Sequence, residues 1–311
     1  MTVWQIYNQH LVDRITRLWD FSFLETWDDD LRKMNTLKVG RPFKFPTPFV
    51  FFLAILKVTY SMPYRDLEAM LIGFRQLSRL IQAPDFTTIF RRVGKLMIEI
   101  HEKVPPEVIN EIKTGYAKVA IDSSGLSVTC RGEWLRYKHK EGRIACRKGF
   151  VKIHISVDVF RGTILGVEIT DEKASDSSAL PSLTYQSKEV ANVDTEFMDG
   201  AYDTYENFRE LDTMGIKPVI KPRKTGVILS SSHGYIAGRR SQYIYEIKKH
   251  GYDYWRKKHN YGLRWLAEVC FSSFKRRFGE SLMSKKFENM AKEAKLKVMA
   301  YNMITNWPRS W

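Results

Sequence analysis

"YGLRWLAEVCFSSFK", Tyr261 to Lys275, places an acid, Glu268, among large apolar side chains. Laid out as one helix at about 100° per residue, Leu263, Leu266, Cys270 and Phe274 form an apolar ridge. Tyr261, Arg264, Glu268 and Lys275 fall on the other side, within a sector of roughly 60°. Trp265, Val269 and Phe271 flank that sector, so the polar stripe is narrow and partly walled in. Two readings are open. One is an Arg264–Glu268 ion pair on a solvated face, in the poorer i,i+4 orientation and worth only ~0.3 kcal/mol. The other is a stripe that faces a charged ligand needing an acid, two bases and a phenol. The nature of that ligand has to come from the rest of the chain.

The chain has 311 residues, enough for one large or two smaller domains with real cores. Its 44% hydrophobic and 13% aromatic content indicates a folded globular protein. Cys130, Cys146 and Cys270 form an odd set without metal-type spacing, which argues against a disulfide framework or zinc site and fits a reducing compartment. The longest apolar run, Phe49 to Leu56, is too short to span a bilayer, and the N-terminal stretch lacks a signal-peptide layout. A cytoplasmic, nucleoid-associated protein with no membrane partner is expected.

Net charge is +15, and its distribution is uneven. Lys217 to Lys286 carries 17 basic and four acidic residues, a net of +13, and residues 131–152 carry eight against two, a net of +6. The remainder therefore sums to −4. Charge gathered in two segments, one of them containing Glu268, points to a polyanion, and nucleic acid is the usual one. Neither segment is a clean basic amphipathic helix of the membrane-surface kind.

Residues 1–115 read as helical, with amphipathic "WQIYNQHLVDRITRLW", a helix start at Thr47-Pro48, "MPYRDLEAMLIGF", and one helix from "APDFTTIFRRVGKLMIEIHEKV" capped by Asp85. Short helices ending in Arg91-Arg92 suit either a helix-turn-helix DNA reader or an ordinary bundle. After Gly115 the pattern changes. "AKVAIDSSG" reads as a strand ending at Asp122, "GFVKIHISVDVF" and "GTILGVEIT" as a hairpin, "DSSALPSLTYQSK" as a helix, and "NVDTEFMDGAYD" as a strand ending at Asp199. A helix closed by Gly215 and the strand "IKPVI" follow, then a basic loop at about 222–258, the Glu268 helix, and a last helix, "NMAKEAKLKVMAYNMITNW". The order of elements is that of an α/β domain at 116–311 preceded by an all-helical one.

In α/β sheets functional side chains gather at the carboxyl ends of strands. Asp122 and Asp199 each follow an apolar run and precede small residues, which suits exposure of a carboxylate, although Asp before Gly or Ser also marks ordinary turns. Together with Glu268 they make three carboxylates from separate elements beside a basic surface. That set describes a two-metal phosphoryl-transfer site with hard oxygen ligands. The other acids nearby read as decoys: Asp158 at the hairpin turn, Asp194 entering its strand from the wrong end, and Asp203 starting the next helix with Thr204.

The stretch "YGLRWLAEVCFSSFK" fits Y-x2-R-x3-E-x6-K without a gap and so resembles the DDE transposases of bacterial and archaeal insertion sequences, in the group of families four and five. "AIDSSG" and "FMDGAYD" are similar to the blocks that carry their first and second catalytic Asp, with "KIHISVD" and "KASDSSAL" similar to the stretch between. "PYRDLEAML … PDFTTIFRRV" is similar to the helical domain that precedes catalysis in such enzymes. The resemblance implies a ribonuclease-H-like catalytic domain, a mixed sheet flanked by helices, behind a helical DNA-end-binding domain. It implies that Asp122, Asp199 and Glu268 are catalytic and bind Mg²⁺ or Mn²⁺, two ions in all. Tyr261, Arg264, Lys275, Arg276, Lys152 and His154 would contact DNA. The implied partners are double-stranded DNA, as terminal inverted repeats and target, and a second copy when assembled on it. A non-catalytic DNA-binding derivative and a nuclease of the same fold are the alternatives. The second block departs from the usual spacing, with Gly200 directly after Asp199, and the span to Glu268 lacks the long β-rich insertion of some relatives.

Overall fold

The computed structural model describes residues 2–77, 83–128, 150–228 and 234–305. The chain divides into two compact units. One runs to Lys103 and takes in Arg277–Gly279 and the C-terminal helix; the other runs from Val104 to Arg276 and includes Glu280–Lys285. The boundary thus lies about a dozen residues before Gly115, and the C-terminal helix packs with the first unit, where its order in the chain had grouped it with the second.

The first unit is helical: α1 (Val3–Thr16), α2 (Trp27–Asn35), α3 (Thr47–Thr59), α4 (Tyr64–Leu77), α5 (Phe86–Val93) and the C-terminal helix (Phe287–Thr305). α3 is buried from Phe49 to Thr59, as expected of a helix that is apolar all round. Phe23, Phe49 and Phe52 pack around its start, with Phe23 and Phe52 5.2 Å apart. Lys57 is drawn into this core opposite Glu293, 3.9 Å away. The single helix expected over 83–104 stops at Val93. Leu96 and Ile100 are buried four residues apart, but beyond Gly94 the chain that carries them is irregular and not helical. Among the described residues, no helix is long and apolar enough to cross a membrane.

The second unit is built on one mixed sheet. After α6 (Pro106–Thr114) come β1 (Tyr116–Val128), β2 (Phe150–Asp158) and β3 (Ile164–Thr170), an antiparallel set. α7 (Leu180–Val190), β4 (Asn192–Met198), α8 (Tyr205–Thr213) and β5 (Lys217–Ile220) follow, with β4 and β5 parallel to β1. The order is β3-β2-β1-β4-β5, and β6 (Ser281–Leu282) joins the far end of β1. This is the mixed sheet flanked by helices of the ribonuclease-H-like expectation.

Two expectations change here. β1 does not end at Asp122; it continues through the small polar residues to Val128, because β2 pairs with it as far as Ser127 opposite Phe150. The segment 222–258 is not a loop. It holds α9 (Gly234–His250) and α10 (Tyr252–Lys258), hinged at Gly251, whose φ of +85° suits glycine. Their apolar side is narrow, with Tyr243, Ile244 and Trp255 buried, and the Lys and Arg around it hide the period. The basic stretch at 131–152 lies outside the described residues as far as 149.

Candidate active site

The register of the parallel pair sets the geometry. β1 and β4 run side by side up to Ala120 opposite Phe197. Asp122 and Asp199 each lie two residues beyond that rung, so they stand at the same level, on adjacent strands and on the same face of the sheet. Asp122 accepts a hydrogen bond from the Ser123 N–H (2.9 Å). Asp199 caps a 3₁₀ turn, Gly200–Tyr202, by accepting from the Ala201 N–H (2.8 Å). A side chain at Gly200 would press on the Lys221 carbonyl at 3.3 Å, which accounts for glycine directly after the acid.

The stretch containing Glu268 is not one continuous helix. Tyr261–Arg264 is a 3₁₀ turn entered through left-handed Asn260 (φ +53°), and the α-helix α11 spans Trp265–Phe278. Its buried side is Ala267, Cys270, Phe271, Phe274 and Phe278, while Trp265 is 62% exposed. Ala267 and Ala120, both fully buried, lie in one apolar cluster. Two methyl-sized side chains let the helix come close to β1, on the face that carries Asp122. Glu268 then lies near Asp122, and Arg264 bridges them. Its Nη1 donates to Asp122 Oδ2 (3.2 Å) and its Nη2 to Glu268 Oε1. The i,i+4 ion pair of the simpler reading therefore exists, but it is also anchored to the sheet.

Burial pushes the Asp122 carboxyl up to about 6. The Ser123 N–H and the Arg264 guanidinium oppose that rise, while the charges of Asp199 and Glu268 add to it. Asp122 therefore senses both of the other acids, although desolvation outweighs their repulsion. The donor set is all carboxylate oxygen, which fits Mg²⁺ or Mn²⁺ better than a thiolate- or imidazole-seeking metal. Among the described residues no three acid, imidazole or thiol groups are gathered closely enough to enclose an ion, and the Arg264 guanidinium is paired with two of the three acids.

The residues expected at DNA divide. Tyr261 is 5% exposed and its hydroxyl donates to the Met198 carbonyl (3.1 Å), so it ties the turn to the strand before Asp199 instead of presenting to phosphate. His154 is fully buried, with Nε2 2.8 Å from Thr170 Oγ1. Lys152 Nζ is spent on Asp176 (3.1 Å) and the Ala174 carbonyl (2.8 Å). In this structure the Tyr261 hydroxyl, His154 Nε2 and Lys152 Nζ are engaged with protein, while His154 Nδ1 is buried without a hydrogen-bond partner. Arg264 reaches the acids, Lys275 is half-buried, and Arg276 is exposed.

The decoy acids have their own partners. Asp158 accepts from the Phe160 and Arg161 N–H groups and pairs with Arg161 (3.0 Å). Asp203 is buried against Arg240, with bonds of 2.6 and 2.8 Å, and accepts from the Arg223 N–H (2.9 Å). Thr204, not Asp203, caps α8. Sequence reasoning missed the cluster of Ala120, Val159 and Ala267, whose only signal is a small residue one place before the acid on α11 and two places before it on β1.

Residues 113–303 match a family model described as the transposase DDE domain, and residues 14–131 match a second model of the same description. Among solved structures the chain is similar to the Drosophila P element transposase strand transfer complex, at 13% identity over 64% of this chain and 47% of that one, with a TM-score of 0.30. It is similar to the Mos1 transposase paired-end complex with left transposon end, at 12% identity over 78% and 82%, TM-score 0.25. A third likeness is to the simian T-cell lymphotropic virus intasome in complex with PP2A regulatory subunit B56 gamma, at 12% identity over 72% and 68%, TM-score 0.24. The chain spans about half the length of the P element transposase chain it matches.

Proposed function

The chain belongs to the transposase DDE domain family, and we propose that it is an insertion-sequence transposase of the group of families four and five. It cleaves double-stranded DNA at the element's terminal inverted repeats and transfers the freed 3′-OH into target DNA. The observation that carries this reading is the shared level of Asp122 and Asp199 on adjacent strands, with Glu268 joined to Asp122 through Arg264.

In this reading Asp122, Asp199 and Glu268 hold divalent ions, Mg²⁺ or Mn²⁺ and two in number. Bound there, such ions lower the pKa of water and offset charge on the attacking and leaving oxygens. The chain's own residues set the geometry. The β1–β4 register fixes the spacing of the two Asp, the small cluster of Ala120, Val159 and Ala267 seats the helix that brings Glu268, and Tyr261 ties the strand end behind Asp199. Arg264, Lys275 and Arg276 approach phosphate, and the exposed Lys248, Lys249, Arg256 and Lys257 of α9 and α10 extend the positive surface. Residues 1–115 contribute recognition of the DNA end, and two copies assemble on DNA.

The test uses a labelled duplex carrying the element end, with Mg²⁺. Asp122→Asn, Asp199→Asn and Glu268→Gln should each abolish cleavage while leaving duplex binding within a few-fold of wild type. Cleavage that survives any one of them would refute the triad. Joined products, as against nicked ones alone, separate strand transfer from simple hydrolysis.

A further inference from the structure

Arg264 makes two charge-assisted hydrogen bonds, and both go to acids that the proposed reaction needs for metal. Nη1 reaches Asp122 Oδ2 at 3.2 Å and Nη2 reaches Glu268 Oε1, with the Arg264 side chain one-fifth exposed. A cation shared by Asp122 and Glu268 needs lone pairs on both acids, and Arg264 now occupies one on each while placing its own positive charge between them. Loading a metal between Asp122 and Glu268 thus requires Arg264 to leave. Leaving without replacement strands two carboxylates beside a third, Asp199, whose charge already bears on Asp122.

A DNA phosphate supplies what makes the exchange favourable. It is a planar-edge acceptor that matches the same fork. It comes from outside, where the partly exposed Arg264 can turn, and Arg276, exposed on the helix that follows Arg264, adds to the attraction. We propose that Arg264 stands in for the metal until DNA arrives, then moves to phosphate, so that DNA binding and metal loading are coupled through one guanidinium. This rests on the reading of Asp122, Asp199 and Glu268 as the metal ligands. Its consequence is an enzyme that holds its acids together without DNA yet takes up metal poorly, which limits cleavage away from a bound duplex. By linkage the coupling is reciprocal: metal tightens DNA binding by the factor by which DNA tightens metal binding.

The experiment measures Mn²⁺ binding to the full chain by electron paramagnetic resonance, with and without a saturating short duplex. Asp122→Asn with the same duplex serves as the baseline for Mn²⁺ held by DNA itself. Wild type should gain at least tenfold in Mn²⁺ affinity when the duplex is added. Arg264→Gln should bind Mn²⁺ more tightly than wild type without DNA, and the duplex should then add less than about threefold. Arg264→Lys keeps the charge but cannot span both acids, so its gain should be well below that of wild type. The inference is overturned if Arg264→Gln binds Mn²⁺ more weakly than wild type without DNA, or if either variant keeps the wild-type gain. Those results, with Asp122→Asn still abolishing protein-bound Mn²⁺, would leave the proposed function standing. Mn²⁺ uptake that Asp122→Asn does not reduce would sink the metal-site reading and this inference together.

Discussion

Asp203 lies four residues after Asp199, in the same block of sequence, and an Asp203→Asn variant tests which of the two belongs to the chemistry. The Asp203 side chain is fully buried and that of Arg240 is 10% exposed, with two hydrogen bonds of 2.6 and 2.8 Å between them. A third comes from the Arg223 N–H at 2.9 Å to the same oxygen that accepts from Arg240 Nη2. An Asn amide removes the charge and turns one acceptor into a donor facing N–H groups, leaving a buried guanidinium without its partner. Breaking a buried pair in this way typically costs ~3–5 kcal/mol. For a unit of this size each kcal/mol moves the melting temperature by about 2–4 °C, so a fall of roughly 6–20 °C is expected.

Thermal unfolding followed by circular dichroism reads that shift. A cleavage assay well below the lowered transition reads the chemistry. Asp203→Asn should melt early yet cleave at a rate close to wild type while folded, whereas Asp199→Asn should melt near wild type and not cleave. An Asp203→Leu/Arg240→Met double variant, which removes both charges, should recover much of the lost stability. The reasoning fails if Asp203→Asn melts within ~2 °C of wild type, or if the folded variant is inert.

Two further outcomes follow from packing and burial. Ala267→Leu adds bulk where α11 meets β1 at Ala120, and overpacking of this kind costs ~1–3 kcal/mol. It should also push Glu268 from Asp122 and lower cleavage by more than tenfold with DNA affinity kept; unchanged cleavage in a folded variant would show that the close approach is dispensable. Glu196, fully buried and accepting from Thr184 Oγ1 at 3.0 Å, has its carboxyl pushed up by burial to about 8. It therefore keeps its proton in the folded chain over a range where the unfolded chain has lost it. Its contribution to stability is complete below about pH 4.5 and drains away as pH rises to about 8, by on the order of 4 kcal/mol. Denaturant unfolding should show Glu196→Gln overtaking wild type as pH rises from 6 to 9; a constant difference would refute the assignment.

Much of the sheet was legible in the sequence. The apolar end of β4 at Phe197-Met198 locates Asp199, and the alternation of β2 and β3 around Arg161-Gly162 marks the hairpin. What was not legible has physical causes. A 3₁₀ turn advances about 120° per residue, so a wheel drawn at about 100° misplaces everything before Trp265, and Tyr261 turns inward. Lys152 and His154 alternate with apolar residues, which ordinarily means that they face solvent or a ligand. Here that face is covered by a helix that is itself polar: Ser187 bonds Ser156 at 2.7 Å, Ser182 bonds Glu168 at 2.9 Å, and Thr184 bonds Glu196. Polar residues packed on polar residues leave no hydropathy signal in either partner. The continuation of β1 past Asp122 was hidden for a related reason, since Ser and Gly read as a turn until an antiparallel neighbour is known.

Strand parity explains why only some of the acids can collaborate. Cross-strand partners share a face, so Asp158 opposite Val119, and Glu196 opposite the same residue, point away from the face of Ala120 and Asp122. Glu168, opposite His154 and through it in line with Ser123, also lies on that far side. There each acid is quenched locally: Asp158 by Arg161, Glu168 by the Ser182 hydroxyl, and Glu196 by the proton that burial makes it keep. On the near face two of the acids, Asp122 and Glu268, share one guanidinium, that of Arg264. Asp122 and Asp199 each accept one backbone N–H, which leaves acceptor capacity open, and Glu268 keeps about half of its side chain in solvent. Three carboxylates with open lone pairs, two of them sharing one partly exposed guanidinium, carry more negative charge than that guanidinium offsets, an arrangement that a cation is suited to complete.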